Sequence, residues 1–255
     1  MCATITVQMR LVMTPFVTPL VRSEDNGATH IGSGGYVETA GRKLLLTNDH
    51  VFREGSGRLT HKFFDHDQYF GFPQVFASEM LPIDLAASPV DMNWRQVMHS
   101  AMAFPEHRFA EKHAPVDKEL LFMLGFAGKR GYYSPTFNII VTNGTPYLSQ
   151  EFDPVLEERE IASKGFDPQY HFAIPWEPEQ IIVVDEDGNT VPLSPKGFSG
   201  SLIWNTRYLE YTSTERSWDP GVAQLTGIVW GWPSDDRVLF ATRIEHVKNF
   251  LVRIP

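Results

Sequence analysis

Leu44-Leu45-Leu46-Thr47-Asn48-Asp49-His50-Val51 and, far downstream, Gly197-Phe198-Ser199-Gly200 decide how this chain is read. The first stretch is an apolar run that ends in a polar turn carrying a histidine. The second is a serine flanked by glycines. Between them lies Pro82-Ile83-Asp84-Leu85-Ala86-Ala87, an aspartate in an apolar setting. The order is His, Asp, Ser. A serine hydroxyl is a poor nucleophile at neutral pH. It needs a base within hydrogen-bond reach, and that base needs an orienting carboxylate.

Each residue has a plain alternative. A glycine-flanked serine is often just a tight turn, and a lone histidine is usually structural. The combination outweighs them. Asp84 sits between Ile83 and Leu85, where an unpaired carboxylate is costly to bury. A hydrogen bond from His50 offsets that cost. Asp65, Asp67 and Asp91 are weaker rivals, because none has the Asp-Leu-Ala context.

Together the three segments resemble those of the chymotrypsin/trypsin-like serine peptidases. In that family a strand ends in Thr-Asn-x-His or Thr-Ala-x-His, an Asp-Leu/Ile-Ala segment follows, and Gly-x-Ser-Gly closes the set. Thr47-Asn48-Asp49-His50, Asp84-Leu85-Ala86 and Gly197-Phe198-Ser199-Gly200 match in order. The resemblance is nearest to the intracellular bacterial and phage-type members. It implies an all-β fold of two six-stranded antiparallel β-barrels with a C-terminal helix. It also implies one peptidase domain over 1–255, with barrels at about 1–105 and 118–242 and the helix at 243–252. His50 becomes the general base, Asp84 its orienting partner and Ser199 the nucleophile. The amides of Gly197 and Ser199 become the oxyanion hole.

The same resemblance implies a substrate pocket. Val191 to Lys196 forms one wall, with Leu193 or Ser194 at its base. Val229-Trp230-Gly231-Trp232 resembles the strand that forms the other wall and pairs with substrate backbone. No acid stands at the pocket base, which favours an apolar or small residue before the cleaved bond. Asp235 and Asp236 reach the pocket only if their loop folds back. For Trp230 and Trp232 the alternative is core packing. Phe198 departs from the family's activated digestive members, which carry an Asp there to pair with a freshly cut N-terminal amine. Without that Asp and an Ile-Val-Gly-Gly start, the proenzyme switch has no support.

An α/β-hydrolase would want Gly-x-Ser-x-Gly and the order Ser, Asp, His. Here Ser201 stands at the fifth position and the histidine comes first. A rival of another class is a catalytically silent trypsin-like fold that serves as a protein-binding module.

The chain has 255 residues, 42% of them hydrophobic, which is ample for a core. Its net charge is −9, without a Lys/Arg cluster, so nucleic acid is not an expected partner. Cys2 is the single cysteine, so no internal disulfide forms. Neither a signal peptide nor a membrane helix is supported, which gives a cytoplasmic expectation. The expected partners are a protein or peptide substrate and an activating or regulatory protein. No cofactor is expected. His61, Asp65, His66 and Asp67 lack an ordered ligand spacing, so no metal is expected either.

The elements read mostly as strands. Thr4 to Leu11 alternates apolar and polar residues and fits a half-buried strand. Ala28 to Glu38 and Lys43 to Thr47 read as a hairpin turning at Gly41-Arg42. Leu120 to Phe126, Phe137 to Thr142, Ile181 to Asp185, Ser201 to Trp204, Val222 to Val229 and Val238 to Thr242 are further strands, with a turn at Gly188-Asn189. Arg243 to Val252 is a helix with Ile244, Val247, Phe250 and Leu251 on one face. The halves are expected to join within Ala103 to Lys118. Glu151 to Pro178, acidic and proline-bearing, reads as a surface excursion.

Overall fold

The computed structural model describes residues 1–254 except 25–26, 54, 56, 73–76, 135–138, 154–159, 162–164, 178–181, 185–189, 193 and 234–235. It opens on helix α1 (Cys2–Met13), followed by strands β1 (Val17–Glu24), β2 (Gly27–Thr39) and β3 (Arg42–Thr47). A single helical turn, α2 (Asp49–Arg53), leads to β4 (Arg58–Lys62), β5 (Tyr69–Gly71), β6 (Ala77–Glu79) and β7 (Leu85–Pro89). Helix α3 (Asp91–Gln96) and the short β8 (Phe104–Pro105) complete this part. The second part holds β9 (Leu121–Ser134), β10 (Ile139–Ser149), β11 (His171–Pro175), β12 (Ile182–Val184), β13 (Thr190–Pro192) and β14 (Leu202–Asn205). Helix α4 (Tyr208–Thr212), β15 (Gln224–Gly231), β16 (Val238–Arg243) and helix α5 (Ile244–Val252) end the chain.

Among the described residues, the first sheet runs β5-β4-β1-β2-β3-β7-β6 with β8 beside β2, and the second runs β10-β9-β14-β15-β16-β11. The small β12–β13 ribbon stands apart. Apart from the β2–β8 pair, the ladders are antiparallel. This architecture fits two trypsin-like barrels and a C-terminal helix. The β2–β3 hairpin turns on Ala40 and Gly41, both at positive φ. Two successive left-handed residues make a type I′ turn, whose twist matches the flanking strands. One apolar core runs through both sheets, from Val37, Leu44 and Leu46 to Leu124, Leu202 and Trp204. The joining segment packs into it: Phe104 is fully buried, and the Ala110 N–H donates to Leu225 O at 2.9 Å.

Two expectations are corrected. Thr4 to Leu11 is helical, within α1. Ile5, Met9 and Met13 are buried, whereas Val7 and Leu11 are exposed. Buried residues four apart share one helix face, and odd-numbered apolar positions imitate strand alternation while containing that spacing. The excursion from Glu151 is in part a core element. Phe172, Ala173, Ile174 and Trp176 are buried, and β11 pairs with β16. The acidic flanks hide a short apolar run that completes the second sheet.

Helix α5 follows the expected pattern, with Ile244, Val247, Phe250 and Leu251 buried. Burying each such side chain contributes about 1.5–3 kcal/mol. No helix among the described residues is long and apolar enough to cross a membrane. The start of the Phe137 strand, both ends of the Ile181–Asp185 strand and the Gly188-Asn189 turn fall outside the described residues.

Candidate active site

His50 reaches its position because β3 stops being apolar. Leu44 to Thr47 are buried, and the chain then coils into the single turn of α2. Asn48 is fully buried and its side-chain amide donates to Asp84 O at 2.8 Å. This bond ties the end of β3 to the start of β7. His50 N–H donates to Asp84 Oδ1 at 3.1 Å, and His50 Nδ1 lies 2.6 Å from Asp84 Oδ2. A carboxylate there accepts the Nδ1 proton, which makes Nε2 the unprotonated nitrogen of the ring. The His50 side chain is 33% exposed and that of Asp84 only 5%. The carboxylate is thus shielded, whereas the imidazole is partly exposed. The neighbouring Asp49 is not a rival, because Arg53 Nε donates to it at 2.6 Å.

Asp84 is held in a left-handed conformation, φ +47°. A non-glycine residue there costs about 1–2 kcal/mol, so the surroundings must impose it. Thr242 Oγ1 donates to Ile83 O at 2.9 Å. His171 Nε2 donates to Pro82 O at 2.6 Å, while its Nδ1 accepts from Asp167 N–H at 3.0 Å. Burial holds His171 below the ordinary histidine range and keeps it neutral. Residues of the second sheet thus fasten the aspartate of the first.

Ser199 stands on a tight turn. Ser201 N–H donates to Phe198 O at 2.9 Å, and Gly200 takes φ +87°. A Cβ on Gly200 would lie 2.0 Å from Ser33 O, so no other residue fits. The preceding turn is closed by Phe198 N–H donating to Pro195 O at 2.9 Å, with Gly197 at φ +96°. Lys196 is not at positive φ, so this is a type II turn, which fixes the direction of the Lys196–Gly197 peptide. Phe198 is fully buried and packs edge-on against Trp176 at 5.4 Å. The position that carries an ion-pairing Asp in activated digestive enzymes is anchored here by an aromatic ring.

The two halves of the site meet over Gly32. A Cβ there would lie 2.9 Å from Val51 Cγ1 and 3.2 Å from Ser199 O. His50 and Asp84 are in contact, and the Ser199 turn rests against β2 beside α2. Val229 is buried and bonded to the serine turn: Gly200 N–H donates to Val229 O at 2.8 Å. Trp230 and Gly231 are half-buried, and the Trp230 ring lies tilted against His171, with centroids 4.9 Å apart, and Phe240, at 5.3 Å. Ser194 Oγ accepts from Lys196 N–H at 3.4 Å. Leu193 and Asp235 lie outside the described residues, and Asp236 is buried.

The weaker rivals are engaged elsewhere. Asp65 accepts from Ser100 and Asp91 from the Lys43 amide, while Asp67 lies 3.9 Å from Lys62 Nζ. His61 is buried against Tyr36. Among the described residues, no group of three His, Cys, Asp or Glu side chains could hold a metal ion. Sequence reading missed Asn48, His171 and Thr242 as supports of the aspartate. Only Asn48 carried a signal, as the second residue of Thr-Asn-x-His.

No family model matches the chain, and no curated protein matches it by sequence. Solved structures do match. The active form of the Rv3671c protease from M. tuberculosis aligns with a TM-score of 0.56 at 17% identity, covering 99% of this chain and 86% of that one. This chain has the trypsin-like peptidase fold. The inactive serine-to-alanine mutant of Rv3671c gives a TM-score of 0.52 at 17% identity, with coverages of 99% and 92%. A Sesbania mosaic virus structure, described for coupled folding and binding of the VPg protein, gives 0.50 at 12% identity, with coverages of 92% and 90%. At these identities the likeness concerns the trypsin-like fold and not the chemistry.

Proposed function

We propose that this protein is a serine endopeptidase that cleaves a specific protein through an acyl-enzyme. The observation that carries this reading is the 2.6 Å contact of His50 Nδ1 with the shielded Asp84 carboxylate, within a trypsin-like fold. The base stands on an N-terminal half of about residues 1–105, the nucleophile on a C-terminal half of about 118–242.

In the proposed mechanism His50 Nε2 takes the Ser199 proton as Oγ attacks the carbonyl carbon. Asp84 holds the Nδ1 proton and stabilises the imidazolium. The developing oxyanion is met by the amides of Gly197 and Ser199, each of the kind worth about 2.7–4 kcal/mol. His50 then gives its proton to the leaving amine, and water repeats the sequence to free the enzyme. Val229 does not pair with substrate as expected, because its N–H donates to Ser201 O and its C=O accepts from Gly200 N–H; substrate backbone pairs instead along Trp230 and Gly231. By the resemblance, Leu193 or Ser194 stands at the pocket base and neither is an acid, which suits a small or apolar residue before the cleaved bond. The type II turn at Gly197 supports an oxyanion site formed without a cut N-terminus. A regulatory partner would therefore act on access or on substrate choice. A single cysteine suits a reducing, cytoplasmic setting.

The test is cleavage of a denatured proteome, read as new N-termini by mass spectrometry, for wild type beside Ser199→Ala. New termini after small or apolar residues with wild type alone are expected. Identical patterns, or none, would leave the fold as a binding module.

A further inference from the structure

Ser33 lies within the Gly32-Ser33-Gly34-Gly35 stretch of β2, fully buried and on the opposite sheet from Ser199. All of its polar atoms are used. Its hydroxyl donates to Gly197 O at 2.6 Å and accepts from Phe126 N–H at 2.9 Å. Its amide donates to Ser199 O at 2.8 Å, and its carbonyl accepts from Thr47 Oγ1 at 2.8 Å.

These partners have an order. A peptide group is a rigid plane, so holding its C=O and N–H fixes its orientation. The Gly197–Phe198 peptide is held at its carbonyl by the Ser33 hydroxyl and at its N–H by Pro195 O. The Ser199–Gly200 peptide is held at its carbonyl by the Ser33 amide and at its N–H by Val229 O. The peptides that alternate with these two carry the Gly197 and Ser199 N–H groups. Among the described residues neither amide is engaged by another group of the protein. Two clamped planes thus aim the two donors between them, and both carbonyl holds end on one residue, Ser33.

We propose that Ser33 is the positioning residue of the oxyanion turn, an inference that rests on the peptidase reading above. It presets the donor directions from the first sheet with neutral hydrogen bonds, so the turn needs no ion pair and no cut N-terminus. Preorganised donors are effective because they do not reorganise during reaction.

The test uses a fluorophosphonate probe on the full chain. Its concentration dependence separates probe binding from the rate of phosphonylation. Ser33→Ala should lower that rate about tenfold to a hundredfold, a fraction of the effect of deleting an oxyanion donor, with binding unchanged. Ser33→Cys keeps the side-chain shape with a somewhat larger atom, weakens the hydrogen bonds and should fall between; it carries the test if Ser33→Ala does not fold. Thermal melting verifies that each variant is folded. A purely structural role would change melting and leave the phosphonylation rate of the folded protein alone. Wild-type rates in the folded variants would overturn the role of Ser33 while leaving the peptidase reading intact. An unlabelled wild type would overturn the peptidase reading, and this inference with it.

Discussion

His50, on α2, and His61, on β4, stand eleven positions apart and meet opposite environments. His50 is one-third exposed and faces a carboxylate at 2.6 Å. His61 is fully buried among Tyr36, Phe63, Phe70 and Phe72. Its Nδ1 donates to the Tyr36 hydroxyl at 2.9 Å, and its Nε2 accepts from Asn93 Nδ2 at 3.2 Å. Both nitrogens are thus occupied in the neutral form. Burial, with the nearby His99 adding to it, pushes the pKa of His61 down to about 3. A histidine works as a base where one nitrogen is held by an anion and the other is open. Where both are satisfied inside an aromatic box, the same side chain is core.

Substitution of each histidine probes that contrast. His50→Ala should abolish turnover, by up to on the order of a million-fold, with little change in melting temperature. A stability loss without loss of activity would reverse the two assignments. Asp84→Asn should come next, lowering kcat by on the order of ten-thousand-fold, because an amide no longer dictates which His50 nitrogen carries the proton. Steady-state kinetics on any cleaved peptide measures this, and a drop of less than tenfold would separate Asp84 from the chemistry.

The smallest effect concerns acid. The folded-state pKa of His61 is lowered, so the unfolded chain binds a proton at about 6.5 while the native protein does not until about 3. The unfolded state gains protons first, so stability is full above pH 6.5 and falls as pH drops towards 3. Between pH 7 and pH 5 the loss from His61 is about 2 kcal/mol. His30, lowered by burial to about 4, acts in the same direction. Denaturant unfolding of His61→Phe, which keeps a ring in the box, should give a flatter pH dependence across this window. Equal slopes in variant and wild type would place the acid sensitivity elsewhere.

The same contrast marks what was legible in the sequence. His50, Asp84 and the Gly197 to Gly200 turn are encoded locally: a strand ends, a carboxylate sits in apolar surroundings, glycines permit positive φ. Helix α5 was legible because four buried residues follow one helical period. Helix α1 was not, because Ile5, Met9 and Met13 fall among alternating apolar positions. Strand β11 was hidden by the charges around it. Ser33 was least legible, because its hydroxyl bond to Gly197 spans 164 positions and no local pattern announces it. The sequence showed the small residues of Gly32 to Gly35, but not that one hydroxyl among them reaches across the sheets.

The most direct measurement is the site of covalent capture: fluorophosphonate-treated protein is digested and the modified residue mapped by tandem mass spectrometry. The account predicts a single adduct on Ser199, absent from His50→Ala. An adduct on another serine, or none on a folded wild-type chain, would contradict it.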